Sequence, residues 1–142
     1  MITIDASALI KVIITENDSA TARRVFSKIT ENGEPLISPN SILSEAMNGL
    51  WKHYALMKDL NLQNLELARG NLARIYENMD ISSQSDLAED AFNIAIKYKT
   101  TVYDSMYAAL SLKMRAPLFT FDKKLKQRAK VMKVELLDPN DY

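Results

Sequence analysis

Short apolar runs alternate along this chain with longer segments whose apolar residues recur every three or four positions. The short runs are typical of strands, and the longer segments predict amphipathic helices. The predicted strands are 2–4, 35–38, 118–121 and 134–137. The predicted helices are 7–14, 18–30, 39–57, 59–79, 86–98, 104–114 and 122–130, with Asp18 as the N-cap of the second.

Strands that alternate with helices indicate an α/β sandwich with a short, mostly parallel central sheet. The stretch 41–114 contains no convincing strand, so it is expected to be helical and interrupted by a polar turn at 82–85. A chain of 142 residues has the length of one ordinary domain, which is expected to span 1–142.

The composition excludes several classes of function. No cysteine is present, which excludes disulfides, thiol catalysis and cysteine-ligated metals. Eighteen basic and eighteen acidic residues give no net charge, so nucleic acid would have to bind through a local patch or through bound cations. The apolar N-terminus is interrupted by Asp5, lacks a basic start and is too short to span a membrane. We therefore expect a soluble, cytoplasmic protein.

Four carboxylates occupy unusual positions in the pattern. Asp5 and Asp122 come at the ends of predicted strands, and the carboxyl ends of parallel strands are where sites form in such sheets. Glu45 lies on the edge of an apolar helical stripe, and Gly49 leaves room beside it one turn later. Asp104 heads a helix that is apolar or small nearly all the way round. A carboxylate on such a helix is costly to bury unless it has a partner.

Each acid also has an ordinary structural interpretation. Asp104 and Asp122 suit helix N-caps, Asp5 suits a turn after a strand, and Glu45 suits a solvated helix position. Together they suggest more, because carboxylates that converge repel one another and need a cation between them. Oxygen ligands favour Mg²⁺ or Mn²⁺, which activate water and neutralise phosphate without a Ser, Cys or His nucleophile.

Four motifs, in this order, carry a resemblance to a known family: IDASALIKV, SEAMNGL, YDSMYAAL and LFTFDKKLKQRA. The chain resembles the PIN-domain ribonucleases, most closely the VapC-type toxins of toxin–antitoxin systems. The resemblance implies a catalytic metal site made of Asp5, Glu45, Asp104 and Asp122. Asp5 and Asp104 correspond to the principal ligands, and the hydroxyls of Ser7 and Thr120 would lie beside them. Ser105 stands where the family often has alanine.

The resemblance further implies a three-layer α/β/α fold and an endoribonuclease that uses Mg²⁺ or Mn²⁺. Cleavage of RNA would leave 3′-hydroxyl and 5′-phosphate ends. The implied partners are a small antitoxin and a second copy of the chain, contacted in part through the leucine-rich segment 61–79. The alternatives are a PIN nuclease that matures ribosomal RNA without an antitoxin, and a non-catalytic PIN-like binding module.

Two further features have mainly structural interpretations. His53 lies two turns after Glu45, and a buried histidine at the core or rim is favoured over a role beside the metal. The basic residues within 123–130 are interpreted as a solvated helix face in preference to an RNA-guiding surface.

Overall fold

The structure is a computed structural model that describes residues 1–142, arranged as a four-stranded sheet with helices on both faces. The strands are β1 (Ile2–Ile4), β2 (Leu36–Pro39), β3 (Asp80–Ser82) and β4 (Leu118–Phe119). The helices are α1 (Ala6–Ile13), α2 (Ser19–Glu31), α3 (Ile42–Lys52), α4 (Leu62–Glu77), α5 (Gln84–Tyr98), α6 (Val102–Met114) and α7 (Lys123–Met132). A π-helical turn, His53–Met57, continues α3, and a 3₁₀ turn lies at Pro139–Asp141.

All neighbouring strands of the sheet are parallel, in the order β3-β2-β1-β4. Ile2 pairs with Leu36 and Thr3 with Leu118, so β1 lies between β2 and β4. Because the strands run the same way, their carboxyl ends share one edge of the sheet. The predicted parallel α/β architecture is confirmed.

Apolar side chains divide the core between the two faces of the sheet. On one face, Ile2 and Ile4 of β1 pack with buried residues of α1 to α4. On the other face, Ile37 of β2 packs with α5 and α6, and Leu118 of β4 packs with α6 and α7. The sheet is therefore the middle layer of a three-layer α/β/α sandwich, as the sequence led us to expect.

The strand β3 was not predicted, so the expectation that the stretch 41–114 contains no strand is wrong. Asp80 is exposed, and Ile81 and Ser82 are only partly buried, because β3 pairs with β2 alone at the edge of the sheet. Short, polar edge strands protect a sheet from pairing with other chains. Such a strand has no apolar run by which a pattern could identify it.

The predicted strand 134–137 is also wrong, since it is reduced to a single bridge between Leu118 and Leu136. The Leu118 N–H donates to the Glu135 carbonyl over 2.8 Å, and the Leu137 N–H donates to the Leu118 carbonyl over 3.0 Å. The neighbouring strand β4 ends at Phe119 rather than at 121. A two-residue strand offers too little backbone to extend the ladder.

Asp18 occupies the N-cap position of α2, as predicted, but its φ is left-handed at 67° and its side chain makes no capping bond. The N-cap interpretation of Asp104 is wrong. Asp104 lies inside α6, which begins earlier because the hydroxyl of Thr101 accepts the Asp104 N–H over 3.1 Å. Thr101 satisfies the start of α6, so the carboxylate of Asp104 is not needed as its cap.

No helix of the chain combines the length and the apolar character that crossing a membrane requires.

Helices of this chain end repeatedly on basic residues in the left-handed conformation, where glycine is the usual residue. These are Lys58, Lys99, Arg115 and Lys133. We expect Lys133→Gly to raise the free energy of unfolding by about 0.5–1 kcal/mol, because glycine avoids the steric cost of a positive φ. Lys130→Gly, inside the last turn of α7, should lower it by about 1 kcal/mol. Urea denaturation of both variants tests this, and a loss of stability in Lys133→Gly would contradict it.

Candidate active site

A cavity of about 500 Å³ opens at the carboxyl edge of the sheet. The four acids singled out in the sequence all line it: Asp5, Glu45, Asp104 and Asp122. They come from the end of β1, from α3, from α6 and from the residue before α7. Folding therefore brings together, around one space, acids that are up to 117 positions apart in the chain (5 to 122).

Asp5 is the most enclosed of these acids, with 4% of its surface exposed. Its Oδ1 accepts the Ala8 N–H over 2.9 Å and the Ser7 hydroxyl over 2.8 Å, and its Oδ2 accepts the Thr120 hydroxyl over 2.6 Å. The bond from Ala8 makes Asp5 the N-cap of α1. These contacts hold the carboxylate in one orientation.

The hydroxyls of Ser7 and Thr120 also join two parts of the chain. Ser7 Oγ accepts the N–H groups of Phe121 over 2.9 Å and Asp122 over 3.1 Å. Thr120 Oγ1 accepts the Asp122 N–H over 3.0 Å. Since both hydroxyls donate to Asp5, they fix the segment after β4 against the start of α1.

Asp122 and Asp104 differ in how the backbone uses them. Asp122 Oδ1 accepts the Leu125 N–H over 2.9 Å, so Asp122 is the N-cap of α7, in agreement with its ordinary structural interpretation. Asp104 is half-buried and caps nothing, and the charges of Lys124 and Arg128 on α7 act on it favourably. Its carboxylate is thus left without a structural role in starting a helix.

Glu45 is held by a residue that sequence reasoning missed. The hydroxyl of Tyr107 donates to Glu45 Oε2 over 3.1 Å, and Tyr107 lines the cavity. The other oxygen, Glu45 Oε1, is buried and has no hydrogen-bond partner. Tyr107 is in the quoted motif YDSMYAAL, three positions after Asp104 and therefore on the same helical face. That spacing from Asp104 was the signal in the sequence that could have identified Tyr107.

Burial and repulsion between carboxylates raise the pKa values of three acids in the cavity: Asp5, Glu45 and Asp104. Burial raises the pKa of Asp5 to about 6, against the opposing hydrogen bonds from Thr120, Ala8 and Ser7. Burial also raises the pKa of Glu45, against the opposing effects of the Ser41 and Tyr107 hydroxyls and with a smaller upward contribution from Asp104. The pKa of Asp104 is raised by burial and by the charge of Asp122. The cavity therefore favours a bound cation or proton.

The residues present fit a divalent cation held in part through water. No three His, Asp or Glu side chains of the chain lie close enough together to enclose an ion. Mg²⁺ commonly binds through one or two carboxylates and keeps several waters, so it does not require such a cage. The unpaired, buried Oε1 of Glu45 is an acceptor that a cation or its water would satisfy.

His53 is buried and lies at one wall of the cavity, as a rim histidine was expected to be. Its Nε2 lies 3.2 Å from Glu16 Oε2, and its Nδ1 lies 2.9 Å from Asp59 Oδ1. These contacts tie the π-helical turn to the loop after α1 and to the segment before α4. They give His53 a structural role beside the acids.

Comparison with known proteins identifies the family of this chain. The sequence profile of the PIN domain matches residues 2–131. Ribonuclease VapC3 from Pyrobaculum aerophilum is 30% identical over 127 residues, which cover 88% of this chain and 92% of that protein. The chain belongs to the PIN-domain family, and the resemblance seen in its motifs is confirmed.

Solved structures show the same fold at lower sequence identity. VapC20 of Mycobacterium tuberculosis, a sarcin–ricin loop cleaving toxin, matches with a TM-score of 0.67 at 16% identity, over 89% of this chain and 94% of that one. A chain of a toxin–antitoxin complex from Klebsiella pneumoniae matches with a TM-score of 0.58 at 19% identity, over 87% and 88%. Both likenesses support the three-layer architecture described above.

The two roles available to Asp122, cap and charge, can be separated by substitution. We expect Asp122→Ala to lower the free energy of unfolding by about 1 kcal/mol, because the bond to the Leu125 N–H is lost. Asp122→Asn should stay within a few tenths of a kcal/mol of the unaltered protein, since asparagine caps helices equally well. Urea denaturation without divalent metal measures both. Equal losses in the two variants would show that charge, rather than the cap, stabilises the start of α7.

The raised pKa of Asp5 predicts a pH-dependent stability. The pKa is higher in the folded state, about 6, than the ordinary value of about 3.9 expected after unfolding. The contribution of Asp5 to the free energy of unfolding is therefore fully present below pH 4 and is lost as the pH rises through 6. In Asp5→Asn, residue 5 does not titrate. Between pH 4 and 7.5, the free energy of unfolding of this variant should therefore rise by about 3 kcal/mol relative to that of the unaltered protein. Urea denaturation in EDTA checks this, and parallel stability curves for the two proteins would refute it.

Proposed function

We propose that residues 1–142 form a single divalent-metal-dependent ribonuclease domain, the VapC-type toxin of a toxin–antitoxin pair. The observation that supports this most strongly is the convergence of four carboxylates on one cavity at the carboxyl edge of the sheet. The relative named ribonuclease VapC3, and the structural neighbours described as a toxin and as a toxin–antitoxin complex, support the same activity. The proposed substrate is RNA, and the proposed cofactor is Mg²⁺ or Mn²⁺.

In this proposal Asp5 and Asp104 are the principal metal ligands, and Glu45 and Asp122 complete the site directly or through water. A divalent ion bound there would lower the pKa of a bound water and would neutralise charge on the scissile phosphate. The shared upward pKa shifts of Asp5, Glu45 and Asp104 support the assignment, because a cation relieves the repulsion that contributes to them.

The residues around the acids have distinct proposed tasks. The hydroxyls of Ser7 and Thr120 donate to Asp5, which favours its ionised form and holds it in orientation. Lys52 lines the same cavity, and its charge reduces the repulsion between the acidic wall and the phosphates of RNA. Lys11 also lines the cavity, but its ammonium pairs with Glu16 over 3.1 Å. Cleavage by this arrangement would leave 3′-hydroxyl and 5′-phosphate ends.

The proposed protein partners are a small antitoxin and a second copy of the chain. Met57 supports an antitoxin contact, because this apolar side chain is both exposed and part of the cavity wall. Leu72 of α4 is buried, whereas Leu62 and Leu67 of the same helix are exposed. The leucine-rich segment therefore contributes to the core and still offers an outer apolar face to a homodimer.

One observation favours the second candidate, a non-catalytic PIN-like module. Asp5 and Asp122 each cap a helix, so both have a structural use without any metal. Asp104 and Glu45 have no such use, since neither side chain caps a helix. Metal binding and cleavage that depend on Asp104 therefore distinguish a nuclease from the module. A nuclease for ribosomal RNA maturation would share the chemistry but would copurify with no small antitoxin.

Cleavage of RNA by the purified protein tests the proposal. With Mn²⁺ or Mg²⁺ present, Asp5→Asn and Asp104→Asn should each reduce the cleavage rate by roughly 100-fold or more, because each loses a charged ligand oxygen. EDTA should abolish cleavage, and added Mn²⁺ should restore it. The matched control is Asp86→Asn, an exposed acid in the first turn of α5 that does not line the cavity, which should retain full activity.

The assay has two outcomes that contradict the proposal. Full activity in Asp5→Asn and Asp104→Asn would exclude these acids from the chemistry. No cleavage by the unaltered protein, together with no Mn²⁺ uptake in calorimetry, would favour the non-catalytic module.

A further inference from the structure

Tyr107 connects the acidic cavity to the core of the protein. It is only 2% exposed, yet it lines the cavity from α6. Its ring packs in the cluster that α6, α7 and β4 share, while its hydroxyl reaches Glu45 on α3. The Tyr107 hydroxyl is the donor in this contact, because a tyrosine is protonated at neutral pH and a carboxylate only accepts.

The contact leaves the two oxygens of Glu45 in different states. Oε2 accepts the Tyr107 hydroxyl over 3.1 Å, and Oε1 is buried without a partner. A free glutamate side chain has several rotatable bonds and samples many positions. Because both oxygens belong to one carboxylate group, a hydrogen bond that holds one oxygen also restricts the position of the other. An unpaired buried oxygen also costs free energy that a ligand recovers. The fixed Oε1 is therefore suited to receive a cation or a water bound to one.

We propose that Tyr107 is a positioning residue, whose hydroxyl holds one oxygen of Glu45 and so keeps the other available to a divalent cation in the cavity. This inference rests on the metal site of the proposed function. It goes beyond that function because it assigns metal affinity in part to a residue that contacts no metal. Outer residues that orient a ligand in this way typically contribute 10–100-fold to metal affinity.

The experiment compares Mn²⁺ binding by calorimetry in the full-length protein and in Tyr107→Phe, which removes a single oxygen atom. We expect the variant to bind Mn²⁺ roughly 10–100-fold more weakly. The matched control is Tyr103→Phe, one turn earlier on α6, where the side chain is 71% exposed and outside the cavity wall. This control should bind as the unaltered protein does.

A double-mutant cycle separates positioning from a general effect on packing. If Tyr107 acts through Glu45, then Tyr107→Phe should cause no further loss of affinity once Glu45→Ala has been introduced. If the hydroxyl merely supports the fold, the same loss will recur in both backgrounds, and the inference is overturned. An unfolded Tyr107→Phe protein would also overturn it, since the hydroxyl would then serve folding.

The outcomes also separate this inference from the proposed function. If the unaltered protein takes up Mn²⁺ and Asp104→Asn does not, the metal site stands. Equal affinity in Tyr107→Phe would then overturn the positioning role alone. If the unaltered protein takes up no Mn²⁺, the metal site is refuted, and the role of Tyr107 is refuted with it.

Discussion

The burial of one carboxylate, Asp5, is the constraint on which the rest of the site depends. Removing its charge from water is costly, and the hydrogen bonds from Ser7, Ala8 and Thr120 offset that cost only in part. Those same bonds cap α1 and attach the segment after β4, which includes Asp122, to the end of β1. The contacts that make the buried charge tolerable thus also build the cavity wall.

The other three acids differ in whether the fold also uses them to cap a helix. Asp122 caps α7, so its backbone contact would persist whether or not a cation is bound. Asp104 does not cap α6, because Thr101 does so, and Tyr107 donates to only one oxygen of Glu45. Like charges gathered at one sheet edge lower the stability of the metal-free protein, which is a common feature of functional sites.

Sequence patterns located most of the fold and the candidate site for identifiable reasons. The strands β1 and β2 are buried apolar segments, and the acids after β1 and β4 stand out beside apolar neighbours. The edge strand β3 escaped notice because Asp80–Ser82 carries no apolar run, and its partner residues in β2 lie 43 positions earlier in the chain, as with Ile37 and Asp80. Residues 134–137 had a strand-like pattern, but the two-residue β4 offers them only one bridge.

Local chemistry along the chain was enough to indicate an α/β class, to exclude thiol and disulfide chemistry, and to single out four acids. Residue type and spacing carry that information because strand and helix periods are local. Packing between distant segments settled the rest: Thr101 displaced Asp104 as the cap, and Tyr107 was directed at Glu45 across 62 positions. Which oxygen of Glu45 is left free depends on that long-range contact, because a side chain's hydrogen-bond partners are set by the helices that fold against it.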